Sequence, residues 1–250
     1  MIIWLASYPK SGNTYVRAFL SAYYFSESGE FDFSQISKID QFPHEKFFKK
    51  KADNISEASK QWIPIQREIN KDKKIRFFKT HSFLGNYQGN QFTSPETTLG
   101  AIYIVRDPRN VLSSLKNHYS FDDDNALKMI KDKTRSLMSN NGSHASLTYI
   151  SSWSENYLSW LRNNQFRRLF IKYEDLITNK YETFRDIIVF TNTLMNKIEG
   201  VNKSKLQKAI ETTNFDVLKK KEVSETFDGT ESSFKNWRKF HSENKNLFFN

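Results

Sequence analysis

The 250-residue chain contains no cysteine, which excludes disulfides, zinc–thiolate sites and a cysteine nucleophile and fits a reducing compartment. It has no run of 18 apolar residues, and Met1 passes straight into Ile2-Ile3-Trp4-Leu5-Ala6 with neither a basic leader nor a long apolar segment. A cytoplasmic protein without a membrane segment is therefore expected. Glycine is scarce, 8 residues in all and none before Gly12, a scarcity that matters below. Internal repeats, linkers and domain boundaries are not visible either, so one domain spanning residues 1–250 is expected.

What the chain does have is aromatic bulk and positive charge. With 22 Phe and 11 Tyr, it can build a substantial core without metals or disulfides. Lys and Arg total 38 against 28 Asp and Glu, a formal charge of +10, which favours anionic partners. The basic residues are scattered, and runs such as Lys49-Lys50-Lys51 and Lys219-Lys220-Lys221 read as solvated faces. Charge alone does not choose among nucleotides, nucleic acid and sulfated or phosphorylated ligands.

Apolar periodicity orders the chain. Ile2–Ala6 reads as a buried strand, and Val16, Phe19, Leu20 and Tyr23 then recur at helical spacing. Residues Ser26–Asp40 read as loop, and His44–Lys51 and Ile55–Asn70 as helices, the second broken or kinked at Pro64. Ile75–Thr80 reads as a strand ending at His81, Ser82–Thr98 as a surface loop and Leu99–Val105 as a strand. Pro108 opens the next helix, which carries Val111, Leu112, Leu115 and Tyr119. Asp122–Asn141 reads as helix with Leu127, Ile130, Leu137 and Met138 inward, and Ala145–Arg162 as a long helix bearing Leu147, Ile150, Trp153, Tyr157 and Leu161. Leu169–Tyr173 is a further strand, followed by a helix through Phe184, Ile187, Ile188 and Leu194. Lys203–Thr212 and Asp216–Lys221 read as short helices, and the aromatics of Ser224–Asn250 suggest a tail that docks over the site.

Alternating strands and helices imply an α/β fold with a mostly parallel sheet flanked by helices, whose ligand sits beyond the carboxyl ends of the strands. Those ends carry Tyr8–Thr14, Lys79–His81, Arg106–Arg109 and Tyr173–Asp175, a cationic convergence suited to a ligand with several negative charges. The Tyr8–Thr14 stretch reads as strand, tight loop and helix start, which aims backbone N–H groups and a helix dipole at one spot. An ordinary strand–turn–helix joint with a surface lysine has the same pattern. The phosphate loop G-x-x-x-x-G-K-[ST] places lysine after its second glycine. Here Lys10 precedes Gly12, and neither Asp107 nor Asp175 is a convincing magnesium ligand. A P-loop kinase or NTPase is thus the secondary reading. A non-catalytic nucleic-acid binder comes third, for want of a basic helical stripe with interleaved aromatics.

Four segments resemble one family. Tyr8-Pro9-Lys10-Ser11-Gly12-Asn13-Thr14-Tyr15 resembles the 5′-phosphosulfate loop of sulfotransferases that use 3′-phosphoadenosine 5′-phosphosulfate (PAPS). Tyr103–Val111, continuing to Ser113-Ser114, resembles their 3′-phosphate motif. Lys79-Thr80-His81 and Tyr173-Glu174-Asp175-Leu176 resemble strand-end motifs of the cytosolic branch, in the same order. The resemblance implies a P-loop NTPase-like fold and a metal-free, in-line sulfuryl transfer. By matching position, Lys10, Ser11, Gly12, Asn13 and Thr14 would hold the 5′-phosphosulfate, Arg106 and Ser114 the 3′-phosphate, and Tyr15, Tyr173 and Phe215 the adenine side. His81 would act as general base, with Lys10 and Lys79 at the sulfuryl oxygens; the rival histidines, His44, His118, His144 and His241, end no strand. Imidazole suits that role because its ordinary pKa, about 6.5, lies near neutrality. The acceptor would be a small molecule, sugar or lipid, and nucleic acid is not an expected partner. The pattern fails at the tail. The family's arginine–lysine–glycine segment has no counterpart before Trp237, where Lys235, Arg238 or Lys239 would have to supply the charge.

Overall fold

The computed structural model describes residues 1–141, 144–214 and 217–218. In chain order the elements are β1 (Ile2–Ser7), α1 (Asn13–Phe25), β2 (Asp40–Gln41), α2 (Ile55–Ile69), β3 (Arg76–Thr80), β4 (Asn86–Tyr87), β5 (Asn90–Gln91), β6 (Thr98–Val105), α3 (Pro108–Tyr119) and α4 (Asp123–Lys131). There follow β7 (Ser136–Asn141), β8 (His144–Tyr149), α5 (Trp153–Arg162), β9 (Arg167–Lys172), α6 (Tyr173–Thr178), α7 (Lys180–Leu194) and α8 (Lys203–Thr212).

The sheet is organised on β1, which is buried along its whole length. Because side chains alternate along a strand, Ile3 and Leu5 enter one core cluster while Ile2, Trp4 and Ala6 enter another. An uninterrupted apolar run serves a strand covered on both faces. Phe19 of α1, Phe184 of α7 and Leu206 of α8 cover the first face, and Trp62 of α2 and Trp160 of α5 the second. Five parallel strands lie in the order β2-β3-β1-β6-β9, as the alternating pattern predicts. The chain leaves β1 towards β3 on one side and comes back to β6 on the other. The loops after β1 and β6 therefore diverge, and a crevice opens between them.

Five local expectations are corrected. Residues 122–141 do not form one helix: α4 ends at Lys131 and β7 follows, paired antiparallel with β8 from Ser136↔Tyr149 to Asn141↔His144. Asn-Gly between two short runs is a hairpin signal, and here it marks a hairpin rather than a break between helices. Leu127 and Met138 are accordingly exposed, at 40% and 62%, not inward. The long helix at Ala145 begins instead at Trp153, where Ser152 Oγ accepts from Glu155 N at 3.3 Å as its cap; of the expected stripe, Leu161 faces solvent. Pro64 lies within α2, whose span is unbroken, because burial of Ala58, Trp62 and Ile65 outweighs one lost backbone bond. His44–Lys51 contributes only a 3₁₀ turn, Glu45–Phe47, and the Ser26–Asp40 loop contains another at Phe33–Lys38. Phe215, most of Asp216–Lys221 and the tail from 224 with Trp237 lie outside the described residues.

Candidate active site

The loop after β1 is bent by two left-handed residues, Lys10 at φ 66° and Gly12 at φ 93°. Gly12 is required twice over: its φ penalises any side chain, and a Cβ there would lie 2.4 Å from Cδ2 of Tyr173. No side chain caps α1. Its first backbone bonds run from Tyr15 N (3.1 Å) and Val16 N (3.3 Å) to Gly12 O. The N–H groups of the preceding turn have no intrahelical acceptor, as an anion site needs. From beneath, Asn13 Nδ2 donates to Leu5 O at 3.0 Å and to Ser7 Oγ at 3.2 Å, so this amide ties the loop to β1.

The end of β6 meets that loop directly. Arg106 Nη1 donates to Lys10 O at 2.9 Å across 96 residues of sequence, and its guanidinium lies 4.2 Å from the centre of the Tyr173 ring. Tyr173 begins α6 at the end of β9, so three strand ends converge in one stack of Gly12, Tyr173 and Arg106. Ser114 sits two turns into α3 and is buried. Tyr15 packs edge-on against Phe184 at 5.2 Å. Asp107 is the N-cap of α3, its carboxylate bonded to Arg109 N at 2.8 Å and to the Arg109 guanidinium, which holds its pKa at about 2. Arg109, its side chain 88% exposed, serves that cap. The strand-end aspartate is thereby committed to the helix.

His81 ends β3. Its Nδ1 lies 2.8 Å from Ser7 O, so the proton is assigned to Nδ1 and the lone pair to Nε2. Asn156 Nδ2 donates to His81 O at 3.0 Å and to Ile150 O at 2.8 Å, while its Oδ1 accepts from Tyr103 OH at 2.8 Å. The turn carrying the imidazole is thus pinned by a buried amide. Burial lowers the His81 pKa to about 3, helped by the Lys79 and Lys10 charges and opposed by the bond to Ser7. Lys10 is lowered to about 8 by burial, Lys79 and Arg106. Two lysines, an arginine and an imidazole share a space with no carboxylate among those influences, so the electrostatics call for an anion.

His118, discounted on sequence because it ends no strand, belongs here too. It lies one turn past Ser114 on the same face of α3, and burial and the Lys10 charge lower its pKa to about 4. The spacing from Ser114 was visible in the sequence; its approach to Lys10 was not. Among the described residues ten buried side-chain polar atoms lack a hydrogen-bond partner, and five of them belong to this site: Ser11 Oγ, Asn13 Oδ1, Tyr15 OH, Arg106 Nε and His118 Nδ1. Buried polar groups are normally satisfied, so this concentration fits a polyanionic ligand with many acceptor oxygens.

A parallel sheet with a cationic, glycine-bent loop at its switch point defines a nucleotide- or phosphate-binding α/β protein. More narrowly, the sulfotransferase domain model matches residues 2–249, and the chain belongs to that family. No curated protein matches it. Among solved structures, retinol dehydratase in complex with androsterone and the inactive cofactor PAP aligns with a TM-score of 0.55 at 17% identity. That alignment covers 87% of this chain and 65% of the other, so the chain spans about two thirds of that protein's length. Retinol dehydratase with retinol and PAP gives 0.56 at 16% identity, covering 96% and 70%. At such identities the likeness carries the fold. Among the described residues no helix is long and apolar enough to cross a membrane.

Proposed function

We propose that this protein transfers the sulfuryl group of PAPS to a hydroxyl or amine of a small-molecule, sugar or lipid acceptor. The observation that carries this reading is the cluster of unpaired buried donors and acceptors between the ends of β1 and β6, set around Lys10, whose pKa burial and the Lys79 and Arg106 charges lower. The donor molecule supplies an activated sulfuryl group with two anionic ends, and the residues fit both. Loop N–H groups, Ser11, Asn13 and Thr14 hold the phosphosulfate. Arg106 has Nε to spare for a 3′-phosphate beside Ser114. Tyr15 and Tyr173 flank the adenine side.

In the transfer, a bond forms between the acceptor oxygen and sulfur as the bridging S–O bond breaks, and the acceptor proton passes to His81 Nε2. Lys10 neutralises charge on the bridging oxygen, with Lys79 beside the sulfuryl oxygens. With a pKa of about 3, set by burial and by the Lys79 and Lys10 charges, His81 is a feeble base. Once Lys10 and Lys79 face an anion, their Coulomb penalty on the imidazolium is offset and its basicity rises. Proton abstraction is thereby tied to an occupied donor site. Phe83, Tyr87 and Tyr149, with ring centroids 4.9–5.7 Å apart, put an aromatic wall two residues beyond His81, suited to an apolar or ring-bearing acceptor.

A thermal-shift panel tests the assignment. Adenosine 3′,5′-bisphosphate should stabilise the protein by several degrees at about 100 times its Kd, while ATP–magnesium and an oligonucleotide should not. Stabilisation by ATP–magnesium alone refutes the proposal. Acceptor classes are then screened with labelled PAPS.

A further inference from the structure

A pocket of about 760 Å³ opens where α4 meets the start of β7, and none of the active-site residues lines it. Its volume is that of a small-molecule site. Phe121, Leu127 and Met129 provide apolar walls, and Lys128, Lys131 and Arg135 are in the lining. Arg135 is the unusual member. Two other arginines with buried surface are spoken for: Arg17 bonds Ile39 O and Ile36 O, and Arg168 bonds Trp160 O and Leu161 O, while Arg106, whose Nε is also unpaired, belongs to the transfer site. Arg135 Nε is buried with no partner among the described residues. Its backbone is nevertheless fixed, its carbonyl accepting from Ile150 N at 3.0 Å and Ser151 N at 3.1 Å.

The nearby acids do not answer it. Asp132 accepts from Thr134 N at 2.8 Å and Thr134 Oγ1 at 2.7 Å, and those bonds account for its lowered pKa before Arg135 does. Asp124 stands exposed in the first turn of α4. Three cations against two carboxylates leave the lining one charge positive. An unpaired, partly desolvated guanidinium is costly, and next to an apolar wall its complement is an acid with an apolar body.

We propose that this pocket binds an amphipathic organic anion, a sulfonate, sulfate ester or carboxylate on an aromatic or aliphatic frame, with Arg135 as counter-ion. The ligand's body rests on Phe121, Leu127 and Met129. The site is separate from the transfer site and does not depend on the sulfotransferase reading.

Fluorescence titration with 8-anilinonaphthalene-1-sulfonate tests it. Wild type should bind the probe saturably, and at least about tenfold more tightly than N-phenyl-1-naphthylamine, which lacks the sulfonate. Arg135→Gln should weaken sulfonate binding about tenfold or more and remove the preference over the neutral analogue, as loss of a charge-assisted pair predicts. Leu127→Asp, at a surface position that does not threaten folding, should weaken binding as much and decides the matter if Arg135→Gln unfolds. Lys10→Met should leave the affinity unchanged. Absence of saturable binding, affinities within twofold in both pocket variants, or loss in Lys10→Met instead overturns the proposal.

Discussion

The two junctions that flank the crevice are built to opposite specifications. At β1–α1 the backbone is forced left-handed at Lys10 and Gly12, the helix has no side-chain cap, and buried polar atoms go unpaired. At β6–α3 the helix opens on Pro108, Asp107 caps it, and Arg106 is held by Lys10 O and the Tyr173 ring. The first junction carries three unpaired buried atoms, on Ser11, Asn13 and Tyr15, and a lysine depressed to about 8; the second carries two, Arg106 Nε and His118 Nδ1, on a helix already capped. The difference suits a division of labour. A site that transfers charge must keep donors uncommitted until the reacting group is present, whereas a site that only grips gains from a rigid, pre-bonded fork.

The contrast can be broken at its reactive end first. His81→Ala should cut transfer by about 10²–10⁴, the range of a general base, while calorimetric affinity for adenosine 3′,5′-bisphosphate stays within about threefold. Retained turnover removes His81 as base. Gly12→Ala should weaken nucleotide binding about a hundredfold through misplacement of the loop. Denaturant melts should show a loss of about 2–3 kcal/mol, since strain and the clash with Tyr173 add; normal affinity would mean the loop tolerates a different course.

At the gripping end a smaller and more selective effect is expected. Arg106→Lys should lower affinity for adenosine 3′,5′-bisphosphate about ten- to fiftyfold by removing the fork, yet leave adenosine 5′-phosphosulfate, which has no 3′-phosphate, unaffected. Equal losses for both ligands would erase the distinction between the ends. The mildest test is pH. The bound anion favours protonated Lys10, so affinity should hold between about pH 7 and 8 and fall by up to tenfold per unit above that, until the raised pKa of the bound state is reached. Because His81 and His118 lie near 3 and 4 without ligand, their imidazole NMR signals in the unliganded protein should show no titration near 6.5. Lys10→Met should flatten the profile, and Arg106→Lys should not.

Most of the sheet and all four strand-end segments were legible because each is a local pattern. Ile2–Ala6 needs only its own run of apolar side chains to read as a buried strand, and Pro108 after Asp107 needs only its neighbours to read as a helix start. The region from 122 to 162 was misread because its polar, weakly periodic residues suit either state. What decides there is the pairing of β7 with β8, which helical periodicity does not register. His118 was passed over for a different reason: strand ends are visible along the sequence, whereas the turn of α3 that comes beside Lys10 depends on how the helix crosses the loop.

By itself the sequence determined that β1 lies inside a parallel sheet, and that the following loop, with lysine before glycine, departs from the G-x-x-x-x-G-K-[ST] signature. Those are properties of consecutive residues. The tertiary structure decided that Lys10 O meets Arg106, that Tyr173 closes over Gly12, and that His118 joins His81 near one lysine. Parallel strands bring their carboxyl ends together from distant parts of the chain, so the charges and unpaired atoms of the site add up only once the sheet has formed.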